Sequence, residues 1–250
     1  MHRFYLPPED CREPRCELRD AEAYHAQHVL RIKRGERVIV LDGAGSEFVC
    51  EVEDPTRGAV ALRVLEKKFS PPRPGQITLL QALPKGKLIE DLIQKAVELG
   101  VHRIVPLLSE RVVTQLDPEG AKAKAVKWRT IAVEAIKQCG SAWLPQVEAP
   151  LSLQAFLQRG EYFDLALIGS LQEKRRHPRI YFDEYVAAHG KVPNTLALWV
   201  GPEGDFTPAE LEAVQVAGAR PMTMGRLVLR CETAAVYGLS VLNYELQSRL

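Results

Sequence analysis

The chain has 250 residues, of which 46% are hydrophobic and 26% are charged, a composition typical of a folded globular protein rather than a disordered one. Its 33 lysines and arginines against 32 aspartates and glutamates leave a net charge of +1. This excludes a global attraction to nucleic acid, so any RNA site must be a local patch. No apolar run approaches the roughly 20 residues that cross a bilayer, so the sequence predicts a cytoplasmic protein without a membrane partner. The five cysteines show neither disulfide nor zinc-ligand spacing, and no metal site is predicted.

The first 70 residues predict a small β-barrel. Residues 37–45 form a short β run that ends in a glycine-rich turn, residues 47–52 alternate polar and apolar side chains, and residues 59–65 form a third such run. Several short strands joined by tight turns are typical of a barrel. Residues 69–75 contain three prolines, which disfavour both helix and sheet, and are therefore interpreted as a stiff linker.

From residue 71 onward the pattern changes to alternating strands and helices. Residues 76–82 predict a strand, residues 88–99 carry a helical apolar stripe that ends before Gly100, and residues 102–107 predict the next strand. Such a β-α-β unit implies a parallel sheet. The remaining predicted elements are a long helix at about 118–139, strands near 164–169, 195–200 and 220–224, and helices near 207–218 and 231–247.

Two strand-to-helix connections near the end of the chain point to one ligand pocket. The strand ending at Val200 runs into the loop 201–204, and Thr207 then has the pattern of a helix N-cap, with Pro208 and Glu210 in the first turn. Glycine lets a ligand approach the main chain, and the free amides at a helix start are donors. The loop lacks a dinucleotide or P-loop signature, and its acidic residues are compatible with a cationic ligand. A tight turn without a ligand is the alternative.

The second connection covers residues 222–234. Leu227, Val228 and Leu229 are apolar where a loop is expected, which indicates either an apolar cleft for a flat heterocycle or a buried core connection. Arg230 stands just before the final helix, where a guanidinium can hold a phosphate or an anionic base. Glu232 suits the positive end of that helix, so simple capping is the alternative to a catalytic role.

Local basic clusters predict a polyanion-binding surface despite the near-neutral total charge. Lys85 and Lys87 flank Gly86 at a predicted loop, and further clusters lie within 122–129 and 174–179. An ordinary solvated surface is the alternative interpretation. The final helix is apolar almost all round, which indicates two packing partners. One is its own sheet, and the other is either a second subunit or another part of the monomer.

Several motifs follow one another in order along the chain. They are Met1-His-Arg-Phe-Tyr5, His28-Val-Leu-Arg31 with Gly35, the stretch 85–101 with Gln94-Lys-Ala96, Gly201-Pro-Glu-Gly204, and Leu229-Arg-Cys-Glu-Thr-Ala234. Together they resemble the RsmE-type 16S ribosomal RNA uridine N3-methyltransferases over almost the whole chain, and the last two motifs are the most specific. One departure is the segment 137–141, which lacks the acidic and basic members that the family often carries there.

The resemblance implies both a fold and a reaction. The fold class is α/β, with a SPOUT-type knotted parallel sheet and helices on both faces in residues 71–250, plus an N-terminal PUA-like β-barrel in residues 1–70 that helps to hold RNA. The reaction is the S-adenosylmethionine-dependent methylation of N3 of a specific uridine in 16S ribosomal RNA or the small ribosomal subunit. The resemblance also implies a homodimer through the C-terminal domain. The alternatives are a SPOUT methyltransferase that acts on another RNA base and a non-catalytic RNA-binding ribosome-assembly protein.

The site residues expected on this basis fall into three groups. Arg230 is expected to stabilise the developing negative charge or to grip the target phosphate, and Glu232 is a second catalytic candidate. The cofactor-binding residues, which are expected to act largely through backbone groups, are Leu198, Gly201, Pro202, Gly204, Met224, Gly225, Leu227, Leu229 and Thr233. The RNA-binding candidates are Arg3, Arg31, Lys85, Lys87 and Lys95.

Overall fold

The computed structural model describes residues 1–55, 58–112, 117–172 and 174–249. The chain divides into two compact units, the first formed by Met1–Pro72 with Val133–Leu144 and the second by Arg73–Ala132 with Pro145–Leu250. The sequence alone did not indicate that residues 133–144 belong with the N-terminal stretch, and the functional division at residue 70 stays a prediction. None of the helices in the described ranges is long and apolar enough to cross a membrane.

The first unit contains a five-stranded sheet that is curled as a half-barrel. Its strands, in the spatial order β1-β3-β4-β5-β2, are β1 (His2–Tyr5), β2 (Arg15–Arg19), β3 (Arg37–Leu41), β4 (Ser46–Asp54) and β5 (Ala59–Phe69). β1 runs parallel to β3, and the other pairs are antiparallel. The sequence predicted β3, β4 and β5, whereas β1 and β2 at the two edges of the sheet were missed. A short helix α1 (Asp20–Tyr24) continues into a π-helical turn (His25–Val29).

Strand alternation and a tight turn explain this sheet. Along β4 every second side chain is buried, and Phe48, Cys50 and Val52 share a core with residues of the other strands. The turn into β4 is closed by Asp42, whose Oδ1 accepts 2.8 Å hydrogen bonds from the amides of residues 44 and 46. Gly45 has a φ of +101°, and a Cβ there would lie 2.6 Å from the Trp143 ring, so only glycine fits.

The second unit is built on a seven-stranded sheet whose strand pairs are all parallel, as the sequence predicted. The strand order is β12-β10-β11-β6-β7-β8, and β9 also pairs with β7. The strands are β6 (Gln76–Ala82), β7 (Arg103–Leu108), β8 (Gln146–Val147), β9 (Leu151–Ser152), β10 (Leu165–Gly169), β11 (Thr195–Val200) and β12 (Arg220–Met222). The central strands are buried on both faces, which is typical of parallel sheets covered by helices.

Helices cover both faces of this sheet. The helices that follow β6 in the chain are α2 (Leu88–Glu98), α3 (Pro118–Cys139), α4 (Leu153–Leu157), α5 (Pro178–His189), α6 (Pro208–Val216) and α7 (Cys231–Gln247). On one face Trp199 shares a core with Phe156 of α4 and Val214 of α6. On the other face Leu198 lies against Gly238 of α7, and α7 packs on α2. Gly100, with a φ of +76°, ends α2 as predicted.

Candidate active site

A cavity of about 300 Å³ lies at the carboxyl edge of the second sheet. Open parallel sheets bind ligands at this edge, and the volume is at the lower end of the usual range for ligand pockets. Its walls come from the ends of β10 and β11 and from the segment that leads into α7. The lining residues are Gly169, Ser170, Leu171, Val200, Gly201, Pro202, Glu203, Asp205, Met224, Gly225, Leu227, Val228, Leu229, Arg230, Cys231 and Ala234.

Glycines keep the main chain of the pocket accessible. A Cβ at Gly201 would lie 2.9 Å from Oδ1 of Asp205, and a Cβ at Gly169 would collide with the Met224 methyl group. Gly225 has a φ of +103° and open space where a Cβ would stand. A side chain at any of these three positions would therefore cause a clash, backbone strain or loss of free volume.

The loop after β11 is fixed by hydrogen bonds at the start of α6. Thr207 Oγ1 accepts from the Glu210 amide at 3.3 Å, and Glu210 Oε2 accepts from the Thr207 amide at 2.9 Å, which confirms the predicted helix start. The second oxygen of Glu210 accepts from the Glu110 amide at 2.8 Å, so one buried carboxylate also holds the segment after β7.

The apolar residues of the second loop are exposed at the rim of the pocket. Leu227 and Val228 have 79% and 77% of their surface accessible to solvent, and Leu171 across the pocket has 55%. The interpretation of residues 227–229 as a buried core connection is therefore wrong. The exposed aliphatic surface at the mouth of a cavity instead favours contact with a flat, weakly polar group.

Arg230 and its neighbours form the end of the pocket nearest to α7. Arg230 is the N-cap residue of this helix, is exposed and makes no side-chain capping hydrogen bond. The thiol of Cys231 is buried and donates to Oε2 of Glu232 at 3.4 Å. Burial, this hydrogen bond and the charge of Glu203 raise the pKa of Cys231 to about 12, so the thiol is neutral and unreactive near pH 7. The exposed guanidinium is the group here that can meet a substrate anion.

Most of the predicted cofactor residues line this one cavity. Those brought together there are Gly201, Pro202, Met224, Gly225, Leu227 and Leu229. Leu198 is fully buried under Gly238, and Gly204 lies beside Arg111, whose guanidinium donates to its carbonyl. Thr233 lies on a separate groove of α7. The helical period explains this, since residues three apart, such as Cys231 and Ala234, share a face that Thr233 does not. The binding roles of all nine residues stay predictions.

The third wall of the cavity was not predicted from the sequence. Gly169 is the last residue of β10, and Ser170 and Leu171 follow it, so this strand ends in a glycine just as the other two connections contain one. The signal was present, because an apolar strand that ends in Gly-Ser at the same sheet edge is the same local pattern. Glu203, Asp205, Val228, Cys231 and Ala234 also line the cavity without having been predicted to bind the cofactor.

The predicted RNA-binding residues have different surroundings. Lys85, Lys87 and Lys95 of the second unit are exposed, and so is Arg31 of the first unit, at a φ of +55°. Arg3 is half-buried, and its guanidinium donates to the carbonyls of Lys137 and Gln138 at 3.2 and 3.1 Å. Arg3 thus satisfies carbonyls at the end of α3. Its role in RNA binding, like that of the other four, stays a prediction.

Part of the basic clusters predicted to bind a polyanion is neutralised within the protein. Arg176 pairs with Glu184 at 2.7 Å, and Arg179 pairs with Glu245 at 3.4 Å. Lys127 of the α3 cluster pairs with Glu90 at 2.5 Å. Within the described ranges, Lys85 and Lys87 form no ion pair. The loop between β6 and α2 therefore presents two exposed lysines to an anion.

Comparison with known proteins identifies the family. A family model described as an RNA methyltransferase domain matches residues 71–243, and one described as an RNA methyltransferase PUA domain matches residues 18–65. The ribosomal RNA small subunit methyltransferase E of Bacillus subtilis is 31% identical over 98% of this chain and 97% of its own length. The chain belongs to the ribosomal RNA small subunit methyltransferase E family. The Synechocystis member is 32% identical over 99% of this chain and 78% of its own length.

Solved structures of similar chains confirm the fold. A Legionella pneumophila methyltransferase in complex with the cofactor S-adenosylmethionine is 32% identical, with a TM-score of 0.86 over 97% of this chain and 96% of that one. A Neisseria gonorrhoeae ribosomal RNA small subunit methyltransferase E bound to S-adenosylmethionine is 25% identical, with a TM-score of 0.84 over 98% of this chain and 97% of that one. The α/β class, the PUA-like N-terminal part and the predicted family resemblance are confirmed.

The pocket of this family member has the chemistry that S-adenosylmethionine requires. Three glycines expose main-chain donors and acceptors, and Leu227, Val228 and Leu229 offer apolar contact to an adenine ring. Glu203 and Asp205 add negative charge to the same walls, which favours a sulfonium cation. The residues present therefore fit this cofactor.

Proposed function

We propose that this chain methylates N3 of a uridine in small-subunit ribosomal RNA, with S-adenosylmethionine as the methyl donor. The enzyme class follows from the family to which the chain belongs. The single observation that carries the proposal is the glycine-walled, apolar cavity at the sheet edge, with the exposed guanidinium of Arg230 at its α7 end. This arrangement supports one pocket for a methyl donor next to one site for an anionic base.

The main chain of the two loops holds the cofactor. Gly201, Pro202, Met224, Gly225, Leu227 and Leu229 are the residues that we assign to it. When bound, S-adenosylmethionine supplies an electrophilic methyl group on a positively charged sulfur. Exposed Leu227 and Val228 at the mouth exclude water from the reacting atoms once RNA is in place.

Arg230 makes the uracil ring a nucleophile. Uridine N3 carries a proton and attacks poorly until that proton is lost, so the enzyme must favour the anionic ring, whose proton is released to solvent. The Arg230 guanidinium, beside the positive end of α7, stabilises the charge that develops on the ring. Glu232 is the second catalytic candidate, and its carboxylate accepts a hydrogen bond from the neighbouring Cys231 thiol in the first turn of α7. Because N3 lies on the Watson–Crick edge, the target base must be unpaired or flipped out.

RNA is held by local basic groups. We assign Lys85, Lys87 and Lys95 of the second unit to RNA binding, and within the first unit we assign Arg31 and Arg3 to it. Residues 1–70 are the RNA-binding domain and residues 71–250 the knotted catalytic domain. The partner is 16S ribosomal RNA or the small ribosomal subunit, in accord with the names of the relatives.

A homodimer through the C-terminal domain completes the proposal. The groove on α7 carries Thr233, Val236 and Val241, and it is bordered by Tyr237 and Tyr244, which are 42% and 65% exposed. Such an apolar helix face is of the kind that symmetric dimers bury.

The test is nucleoside analysis after methyl transfer. The purified chain is incubated with methyl-labelled S-adenosylmethionine and small-subunit ribosomal RNA, and the digested RNA is analysed by mass spectrometry. We expect the label in N3-methyluridine. Label in a different nucleoside favours a methyltransferase acting on another base, and RNA binding without any transfer favours a non-catalytic assembly protein.

A further inference from the structure

Glu203 contacts two functional loops of the second unit at once. It lines the candidate cofactor pocket after β11, and its Oε1 accepts a 2.9 Å hydrogen bond from the backbone amide of Lys85. Lys85 lies in the loop that joins β6 to α2, so one side chain ties together segments 118 residues apart in the sequence. A hydrogen bond to a carboxylate is stronger than one between neutral groups.

The loop anchored in this way carries the exposed basic side chains. Lys85 and Lys87 are exposed on either side of Gly86, which has a φ of +68°. No side chain caps the start of α2 at Lys87. Because glycine allows many backbone conformations, the hydrogen bond from the Lys85 amide to Glu203 restricts the positions that the two ammonium groups adopt.

Glu203 is also close to the first turn of α7. Its charge contributes to the raised pKa of the buried Cys231 thiol, after burial and the hydrogen bond to Glu232. Cys231 and Arg230 line the same cavity. The position of the Glu203 side chain therefore affects both the pocket wall and the loop at Lys85.

We propose that Glu203 is a positioning residue that couples the cofactor pocket to RNA binding by the loop 85–87. The inference rests on the proposed function, since that function assigns S-adenosylmethionine to the pocket and RNA to the two lysines. A ligand that packs against the main chain of residues 201–205 restricts Glu203, and Glu203 then holds the Lys85 amide in one arrangement. RNA binding to an ordered loop costs less conformational entropy. By linkage, each ligand tightens the binding of the other by the same factor.

The test measures the dissociation constant of a small-subunit ribosomal RNA transcript with and without S-adenosylhomocysteine, which cannot donate a methyl group. For the wild-type chain we expect RNA to bind about 5- to 10-fold more tightly with S-adenosylhomocysteine, within the usual range of coupling between sites. Glu203→Ala removes the acceptor and brings the ratio of the two dissociation constants, without and with S-adenosylhomocysteine, to about 1. Glu203→Gln keeps an acceptor oxygen and retains most of the ratio.

Glu212→Ala is the matched control. Glu212 carries the same charge and is exposed on α6, which follows the same loop, but it is not among the residues that line the cavity. We expect the wild-type ratio in this variant. In steady-state assays Glu203→Ala raises the KM for RNA by a larger factor than it lowers kcat.

Three results overturn the inference: a wild-type ratio in Glu203→Ala, an equal loss in Glu203→Ala and Glu203→Gln, or a loss in Glu212→Ala as large as in Glu203→Ala. A wild-type chain that methylates RNA but shows a ratio of 1 also overturns it, while the proposed function stands. A wild-type chain that neither binds S-adenosylhomocysteine nor methylates RNA overturns both.

Discussion

At the scale of single residues, the proposed chemistry depends on the charge of Arg230. This guanidinium is exposed, lines the cavity and stands where the amides of α7 also favour an anion. We predict that Arg230→Ala lowers the single-turnover rate of methyl transfer by about 100-fold or more, the usual loss when one donor to a developing anion is removed. Binding of S-adenosylmethionine, measured by calorimetry, should change only a few-fold.

Arg226→Ala provides the control for Arg230. Arg226 is an exposed arginine of the same loop, four positions earlier, and is not among the residues that line the cavity. Its removal changes the net charge equally and should leave the transfer rate near that of the wild type. Wild-type turnover in Arg230→Ala would remove this residue from the mechanism.

The role of a residue could be predicted from the sequence where local chemistry determines it. It could not be predicted where the packing of strands and helices determines which way the side chain points. Gly201 and Gly225 follow from the requirement for close approach to the main chain. Leu198 and Thr233 carry the same motif signal, yet the strand and helix periods turn their side chains away from the cavity. The hydrogen bond between Glu203 and Lys85 joins distant segments, and no local pattern reports such a contact.

At the scale of elements, the start of α6 sets the geometry of the loop after β11. The Glu210 carboxylate is buried and accepts hydrogen bonds from the amides of Thr207 and Glu110. We predict that Glu210→Ala lowers the free energy of unfolding by about 2 kcal/mol, since it removes half of a capping box and takes the acceptor away from two partly buried amides. Urea denaturation measures this change.

Glu212→Ala tests whether that loss is specific. Glu212 lies on the same helix but is exposed. Its removal should change stability by less than about 0.5 kcal/mol, as is usual for surface positions. Equal losses in the two variants would show that the hydrogen bonds of Glu210 are not what stabilises this connection.

Helices and strands with a clear hydrophobic period were predicted from the sequence. Strands that form only because they pair with a neighbouring strand were not. The apolar runs of β6, β10 and β11 and the stripe of α2 are visible in the sequence because each buries its own side chains. β8 and β9 have two residues each and exist only as additions beside β7. α5 was missed because its buried face, formed by Tyr181, Phe182 and Tyr185, directly follows a run of basic residues.

At the scale of the whole molecule, the groove on α7 should form the dimer interface. We predict that the wild-type chain sediments with twice the mass of one chain and that Tyr244→Glu shifts it to the monomer, because a charge would be buried without a partner in the interface. Val216→Glu is the control, since Val216 is 82% exposed on α6 and lies outside this groove. A wild-type monomer, or a Tyr244→Glu dimer of unchanged affinity, would contradict this assignment.

The account as a whole requires that the glycine-walled cavity binds the methyl donor. Gly225 and Gly218 have φ values of +103° and +99°, and both have open space where a Cβ would stand, but only Gly225 lines the cavity. Leucine at either position costs similar backbone strain, whereas only leucine at 225 fills the pocket.

The deciding measurement is titration calorimetry with S-adenosylmethionine on the wild type, Gly225→Leu and Gly218→Leu. The account predicts saturable binding to the wild type and to Gly218→Leu, and none to Gly225→Leu. A wild-type chain that gives no binding heat, or a Gly225→Leu variant with wild-type affinity, would contradict it.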